Sequence, residues 1–360
     1  MSISVCRLLA IETSCDDTSV AVIDGIRGAV RVIAQKTASQ IKIHAKYGGI
    51  VPELAAREHT VNIPHVLAAV FKAAHLNFQK PKIDAIAVTA GPGLITSLFV
   101  GVETARALSY AWKKPLMSVN HLEGHIYSNW LAPTPTKKFW RPPEFPVLNL
   151  IVSGGHTELV LMKAHGAYKL LGATRDDAAG ECFDKIGKLL GFEYPGGPKI
   201  SVVAKKGNRH AVELPRPMIN SNDFDFSFAG LKTAARLWLE KNPRVWENKR
   251  GRQNFCASFE QTIVDVLIAK TLAVVKKFHP KTVTLSGGVA ANIYLREQMD
   301  FAIKEKFPEI VFTAPPLEYT SDNAAMIGVA AYFHIHQSGL SAFKNSWRKI
   351  KVDPEWQIAA

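Results

Sequence analysis

Two histidines four residues apart, His121 and His125 in N-H-L-E-G-H-I, would present both imidazoles on one face of a helix, within reach of a single metal ion. A zinc hydrolase of the H-E-x-x-H type needs glutamate directly after the first histidine, where Leu122 stands. The inverted form H-x-x-E-H needs it directly before the second, where Gly124 stands. The pair therefore offers metal ligands without the usual hydrolytic base, and a metalloprotease reading fails. A third ligand must come from elsewhere. Asp322 in Y-T-S-D-N-A-A-M-I-G is the best-placed carboxylate; the competing reading makes it the N-cap of a helix starting near Ala324.

Asp16 and Asp17 sit side by side at a turn after an apolar run. Paired carboxylates there suit magnesium binding or the steering of a nucleophile, against the alternative of a plain Asx-turn. Small and hydroxyl residues recur at other turns: Thr13, Ser14 and Thr18 in one place, Ser153, Gly154, Gly155 and Thr157 in another. Successive exposed amides with glycine make anion nests, so these turns could cradle a phosphate. Ser286 to Asn292 (S-G-G-V-A-A-N) would set glycines at a helix N-terminus, where free N–H groups favour an anion or an adenosine edge.

The elements that must hold these residues repeat. Arg7 to Asp24 and Val147 to Lys163 each read as strand, tight turn, strand, and each is followed downstream by strand, glycine turn and helix. This degenerate duplication predicts an α/β protein of two similar lobes with a cleft between them. Lobe I is expected over 1–115, with a helical insertion near 38–74 carrying Leu54, Ile63, Val66, Leu67 and Val70 at helical spacing, and is completed by 324–345. Lobe II is expected over 116–323, with a basic insertion at 194–252. Pro133 to Pro146, with five prolines and three basic residues, reads as an extended link, and 346–360 as a basic tail.

Composition sets the class. A chain of 360 residues that is 47% hydrophobic buries a large core and is neither disordered nor collagen-like. The net charge of +13 favours a polyanionic partner. From Lys199 to Arg252, twelve Lys and Arg face five Asp and Glu, so more than half the excess sits in one stretch; a solvated helical face is the plainer alternative. Four scattered cysteines show no C-x-x-C pair, so neither a disulfide framework nor a cysteine zinc site is suggested. The N-terminus lacks a signal-peptide pattern and no apolar run is long enough to span a bilayer, so the protein is expected to be soluble and cytoplasmic.

Ten segments in order, from about Leu8 to Tyr332, carry a resemblance. They are I-E-T-S-C-D-D-T, H-A-K-Y-G-G-I-V-P-E-L-A-A-R-E-H, G-P-G-L, H-L-E-G-H, V-S-G-G-H-T, D-D-A-A-G-E-C-F-D-K, Y-P-G-G-P, F-S-F-A-G-L-K-T, S-G-G-V-A-A-N and T-S-D-N-A-A-M-I. They closely resemble the bacterial TsaD proteins, tRNA threonylcarbamoyladenosine transferases of the glycoprotease-like family in the actin-like ATPase superfamily. The resemblance implies the actin-like, sugar-kinase-like (ASKHA) fold. It also implies transfer of a threonylcarbamoyl group from threonylcarbamoyl-AMP to N6 of the adenosine after the anticodon, in tRNAs reading codons that begin with A.

On the same resemblance, iron or zinc is held by His121, His125 and Asp322; magnesium with bound nucleotide is the expectation that the paired carboxylates Asp16 and Asp17 raise. Substrate contacts fall on Ile151, Val152, Ser153, Gly154, Gly155, His156, Asp184, Gly197, Ser201 and Asn292, and Asp16 or Asp17 is the candidate acceptor of the N6 proton. The expected partners are tRNA, a non-catalytic homologue (TsaB) that pairs with the first lobe, and a small P-loop ATPase (TsaE). Thr96, Ser201 and Ile293 depart from residues frequent in the family. Two other functions are weighed: a catalytically silent scaffold homologue, which would lack the metal ligands, and a small-molecule kinase of the same fold, which needs neither the histidine pair nor the basic insertion.

Overall fold

The structure is a computed structural model that describes residues 5–132 and 142–359. The chain divides into two units, the first comprising residues up to Pro142 together with those from Pro315 onward, the second Pro143–Ala314. The first unit runs β1 (Cys6–Glu12), β2 (Asp17–Ile26), β3 (Ala29–Ser39), α1 (Ile41–His44), α2 (Pro52–Ala73), β4 (Ala85–Gly91), α3 (Ile95–Trp112), β5 (Leu116–Asn120) and α4 (His121–Tyr127). The second runs β6 (Val147–Val152), β7 (Thr157–Ala164), β8 (Ala167–Ala173), α5 (Ala179–Leu189), α6 (Gly196–Ala204), α7 (Ala229–Lys241), α8 (Lys249–Phe278), β9 (Thr282–Ser286), α9 (Ile293–Lys306) and β10 (Val311–Thr313). The chain then returns to the first unit as α10 (Ala324–Ser338).

The two sheets have one topology. Strand order is β3-β2-β1-β4-β5 in the first and, read the same way, β8-β7-β6-β9-β10 in the second. In each, the first three strands are antiparallel and the last two join in parallel. The repeat legible in the sequence is therefore a repeat of whole sheets.

The unit boundaries differ from those expected. β5 pairs in parallel with β4, Ile86 opposite Leu116, so the chain past residue 115 still completes the first sheet. The C-terminal residues are not a loose tail. Arg106 donates to the carbonyls of Trp347 and Ile350, both at 2.8 Å, and Asp353 N donates to Ala90 O at 2.8 Å. A Cβ on Gly91 would overlap the Asp353 carbonyl, so the absence of a side chain there lets this segment lie against β4. Of the expected Pro133–Pro146 link, residues 133–141 lie outside the described residues.

Both faces of the central strands are covered, which is why β1 and β6 read as continuous apolar runs. In the first unit Leu9, Ile11, Val20 and Val22 pack with Ile63, Val66, Leu67 and Val70 of α2. Helix α10 crosses the sheet on small residues: a Cβ on Gly328 would come within 3.0 Å of Ile23 and 3.3 Å of Ala10, so the helix backbone lies close to the strands. In the second unit β6 packs on Cys182, Phe183 and Ile186 of α5 and on Phe259 and Ile263 of α8. None of the helices is long and apolar enough to cross a membrane, among the described residues.

Phe259 is fully buried, edge-on to Phe183 at 5.6 Å and stacked with Phe255 at 6.2 Å. Truncation to alanine there loses both the transfer free energy and the ring contacts, so Phe259→Ala is expected to lower the unfolding free energy by about 3–5 kcal/mol, measured from denaturant midpoints.

Candidate metal centre and substrate cavity

Helix α4 starts directly at the end of β5, and its capping residue is Asn120, whose Oδ1 accepts from Leu122 N at 2.9 Å and Glu123 N at 3.3 Å. His121 and His125 thus stand on the first two turns, ring centroids 4.6 Å apart. A Cβ on Gly124 would come within 2.7 Å of Ile327, so α4 packs closely on α10. At the start of α10 the cap is Asn323, accepting from Met326 N at 3.0 Å, and not Asp322. That leaves the Asp322 carboxylate to face the histidines: its Oδ1 lies 3.5 Å from His121 Nε2 and 3.2 Å from His125 Nε2.

The three ligand atoms all lie within 4.8 Å of one another. Around a tetrahedral ion with ligands at about 2.0–2.1 Å, neighbouring ligand atoms are roughly 3.3–3.4 Å apart, and the two observed separations to Asp322 of 3.2 and 3.5 Å bracket that value. His125 is fully buried, and apart from the contact of Nε2 with Asp322 its ring nitrogens make no hydrogen bond among the described residues. Two buried imidazole nitrogens, 3.5 and 3.2 Å from one and the same carboxylate oxygen, form the arrangement a shared cation satisfies. The residues present fit a metal.

Glu12, at the end of β1, carries no local mark in the sequence, yet it is the residue that orients His121. It is fully buried; its Oε2 lies 3.2 Å from His121 Nδ1 and accepts from Thr89 Oγ1, while Oε1 accepts from Ser14 N. Ser14 Oγ is 3.1 Å from the same histidine nitrogen. A carboxylate on the far nitrogen fixes which nitrogen of His121 faces a metal. Burial disfavours the charged form of His121, but the charges of Asp322 and Glu12 outweigh it and lift the ring to about 9. Burial, reinforced by the charge of His121, pushes His125 down.

The hydroxyls expected to face a phosphate in the first unit are turned inward instead. Thr13 Oγ1 donates to Ser97 O at 2.9 Å, and Thr18 Oγ1 bonds His59 Nδ1 at 2.8 Å, because a buried hydroxyl must find a partner within the protein. His59, on α2, also bonds Cys15 O at 2.9 Å and so clamps the turn that carries Asp16 and Asp17. Asp17 opens β2 with its Oδ1 buried and without a hydrogen bond. Burial first, then the nearby carboxylates of Asp322, Asp16 and Glu12, push it up to about 7, against a hydrogen bond from Ser39.

In the second unit Gly154, Asp184, Gly197, Ser201 and Asn292 line one cavity of about 410 Å³. Asp184 Oδ1 accepts from Gly196 N at 2.8 Å and Gly197 N at 3.0 Å, which fixes the start of α6. Asn292 caps α9 through Leu295 N and donates to Ser201 Oγ at 3.1 Å and Glu260 Oε1 at 2.8 Å. Glu260, buried on α8, also holds Arg209 at 2.9 Å, and the guanidinium lies 3.2 Å from the centre of the Tyr294 ring. Glu260, Arg209 and Tyr294 all border the cavity, and spacing in the sequence marks none of them.

At the β6–β7 turn, Ser153 N donates to His156 O at 2.8 Å and His156 N to Ser153 Oγ at 3.1 Å, leaving the amides of Gly154 and Gly155. Neither glycine has a left-handed backbone, and a Cβ on either would meet nothing within 4 Å; the same holds for Gly288. No neighbour in the chain requires glycine there, which points to open space kept for a ligand. Ile151 and Val152 are fully buried in β6, so as substrate contacts they could act only through their main chain.

Two sheets of this topology define the actin-like ATPase fold. It recurs in full-length HypF in its phosphate- and nucleotide-bound form, at TM-score 0.58 and 12% identity over 94% of this chain and 48% of that one. It recurs also in the activator of 2-hydroxyisocaproyl-CoA dehydratase from Clostridium difficile, at TM-score 0.50 and 13% identity over 96% and 98%. Such identities establish the fold alone. Within that fold the chain belongs to the tRNA N6-adenosine threonylcarbamoyltransferase (TsaD) family, whose model matches residues 31–329. Proteins of that name are 46% identical to it in Bdellovibrio bacteriovorus, over 93% of this chain and 95% of that one, and 46% identical in Endomicrobium trichonymphae, over 93% and 94%.

Two outcomes follow from this geometry. Chelator-stripped protein offered zinc or ferrous ion should take up one equivalent by elemental analysis, and His125→Ala or Asp322→Ala should weaken that uptake by at least about ten-fold; undiminished uptake would remove the centre. In the stripped protein Asp17 keeps its proton when folded up to about 7, against an ordinary value of 3.8. The native state then binds more protons than the unfolded one across that window, so this group makes stability fall as pH rises from 3.8 to about 7. Asp17→Asn should flatten that part of a plot of thermal midpoint against pH.

Proposed function

We propose that the chain transfers the threonylcarbamoyl group from threonylcarbamoyl-AMP to N6 of the adenosine following the anticodon, in tRNAs that read codons beginning with A, and releases AMP. The observation that carries this reading is the convergence of His121, His125 and Asp322 on one point, with His125 buried and otherwise unsatisfied, in a chain of this family. N6 forms a bond to the carbamoyl carbonyl carbon, the bond from that carbon to the phosphate oxygen breaks, and AMP leaves with the electron pair. The exocyclic N6 is a weak nucleophile, so the reaction depends on a polarised carbonyl, a stabilised leaving phosphate and strict positioning.

His121, His125 and Asp322 would hold a divalent iron or zinc ion, which when bound supplies Lewis-acid polarisation of the acyl oxygen. Glu12 and Ser14 hold the His121 ring in place for that task. In the second unit the amides of Gly154 and Gly155 suit the AMP phosphate, and Asp184 and Asn292, each fixed by the hydrogen bonds above, suit the ribose or base. Asp17, its carboxyl raised to about 7, is matched to accepting a proton near neutral pH, while Asp16 beside it suits a magnesium ion accompanying nucleotide. TsaB and TsaE remain the partners expected to support turnover.

The test is to incubate the purified protein with unmodified tRNA, threonylcarbamoyl-AMP and these two partners, then digest the tRNA and analyse its nucleosides by mass spectrometry. Threonylcarbamoyladenosine should accumulate, and His125→Ala should reduce its rate at least about a hundred-fold, the scale of a lost electrostatic contribution to the transition state. Absence of product from the wild-type mixture would overturn the reading. Unimpaired transfer by both Asp16→Ala and Asp17→Asn would remove the proton-acceptor role alone.

A further inference from the structure

Of the twelve basic residues from Lys199 to Arg252, Lys205, on the border of the 410 Å³ cavity, and Lys206 stand apart, and the other ten separate into two parts once their partners are known. Lys199, Arg209, Arg216, Lys232 and Arg236 are each held in an ion pair, with Glu193, Glu260, Asp265, Asp177 and Glu240 respectively. Their charge is largely neutralised within the protein. The five basic residues between 241 and 252, Lys241, Arg244, Lys249, Arg250 and Arg252, make no ion pair among the described residues, although Arg250 Nη1 donates to the Lys206 carbonyl at 2.9 Å, and Glu247 is the single acid in that interval. Four of the five are exposed, and Arg252 is half-buried.

These residues converge on one corner of the second unit, where α7 ends, a 3₁₀ turn at Pro243–Trp246 follows, and α8 begins. A second cavity of about 440 Å³ opens there, bordered by Trp238, Lys241, Asn242, Arg244, Asn248 and Gly251. The Trp238 indole is half-buried and stacks on Phe255 at 5.1 Å. The first turn of α8 carries Lys249 and Arg250 and no acid, so its charges oppose the helix dipole instead of complementing it. Uncompensated cations in that setting are stabilised by an external anion, and a run of them by a polyanion.

We infer that this α7–α8 corner is a docking surface for the tRNA phosphate backbone, with Lys241, Arg244, Lys249 and Arg250 as the phosphate contacts and the cavity beside Trp238 receiving a nucleotide of the same strand. The inference rests on tRNA being the acceptor. Its footprint is distinct from the 410 Å³ cavity, with which it shares no lining residue. Interactions of this kind carry affinity and position, not chemistry, so removing them should appear in binding and leave the rate at saturation alone.

The test compares wild type with K241E/R244E and with K249A/R250A, using fluorescence anisotropy of labelled unmodified tRNA over a series of salt concentrations, with no acyl donor present. This readout needs no transfer, so it stands whether or not product forms. Each double variant should bind tRNA at least about ten-fold more weakly at low salt, and the slope of log affinity against log salt should fall by about 0.7–0.9 for each phosphate no longer neutralised. In the full reaction KM for tRNA should rise while kcat stays within about two-fold. Wild-type circular dichroism and unchanged thermal midpoints identify folded variants; a misfolded charge reversal is replaced by K241A/R244A. Wild-type affinity and slope in both variants would overturn the proposal, as would an equal weakening in the control K80A/K82A. So would impaired partner-protein binding with tRNA binding intact.

Discussion

Asn323 occupies the capping position of α10, and this determines what Asp322 is able to do. A helix start needs one short polar side chain to meet its free N–H groups, an interaction worth about 1 kcal/mol. Had Asp322 supplied it, its oxygens would be committed to main-chain donors. With the neighbouring amide in that role, accepting from Met326 N and donating to Ser321 O at 2.8 Å, the carboxylate is turned toward α4. The same logic holds at the other side of the centre, where Asn120 caps α4 and leaves His121, the very first helical residue, free to face Asp322. Two helices begin at one place, each capped by an asparagine, and the ligands stand on either side of the caps.

Close approach between α4 and α10 makes this juxtaposition possible. Gly124 lies between the two histidines, where any side chain would press on Ile327. Gly328 lets α10 settle against Ala10 and Ile23 of the sheet. The glycine that defeats the inverted protease motif is thus the residue that brings the ligand-bearing helix to its carboxylate. In the second unit glycine serves the opposite purpose: Gly154, Gly155 and Gly288 border space that nothing in the chain fills. Identical residue types answer to packing in one sheet and to open space beside the other.

The duplicated hairpins β1–β2 and β6–β7 are legible in the sequence because β-branched runs flank short turns, and the strand–turn–helix units because glycine turns precede apolar periods. The third strands are not. β3 and β8 alternate exposed and half-buried positions and carry Arg31, Lys36 and Lys169, so no apolar run marks them. The division near residue 115 fails for a related reason: β5 is five residues long, and its place is set by pairing with β4, which local sequence does not encode. The histidine pair can be read from spacing alone, whereas Glu12 and Glu260 cannot. Each is a single acid in a stretch of buried residues, and its importance arises from partners 109 and 32 positions away.

The C-terminal segment shows how such long-range interactions reach the centre. Asn120 uses its side-chain oxygen to cap α4 and its Nδ2 to donate to Trp356 O at 2.9 Å. The amide carries its acceptor and its donor on two separate atoms, so both bonds form at once; aspartate would cap equally well but set a carboxylate oxygen against a carbonyl oxygen. The docking of residues 347–356 on β4 and α3 therefore does more than cover an apolar face. It fixes the rotamer of the residue that starts the histidine-bearing helix, and so ties the geometry of His121 to a part of the chain that composition alone presents as a basic tail.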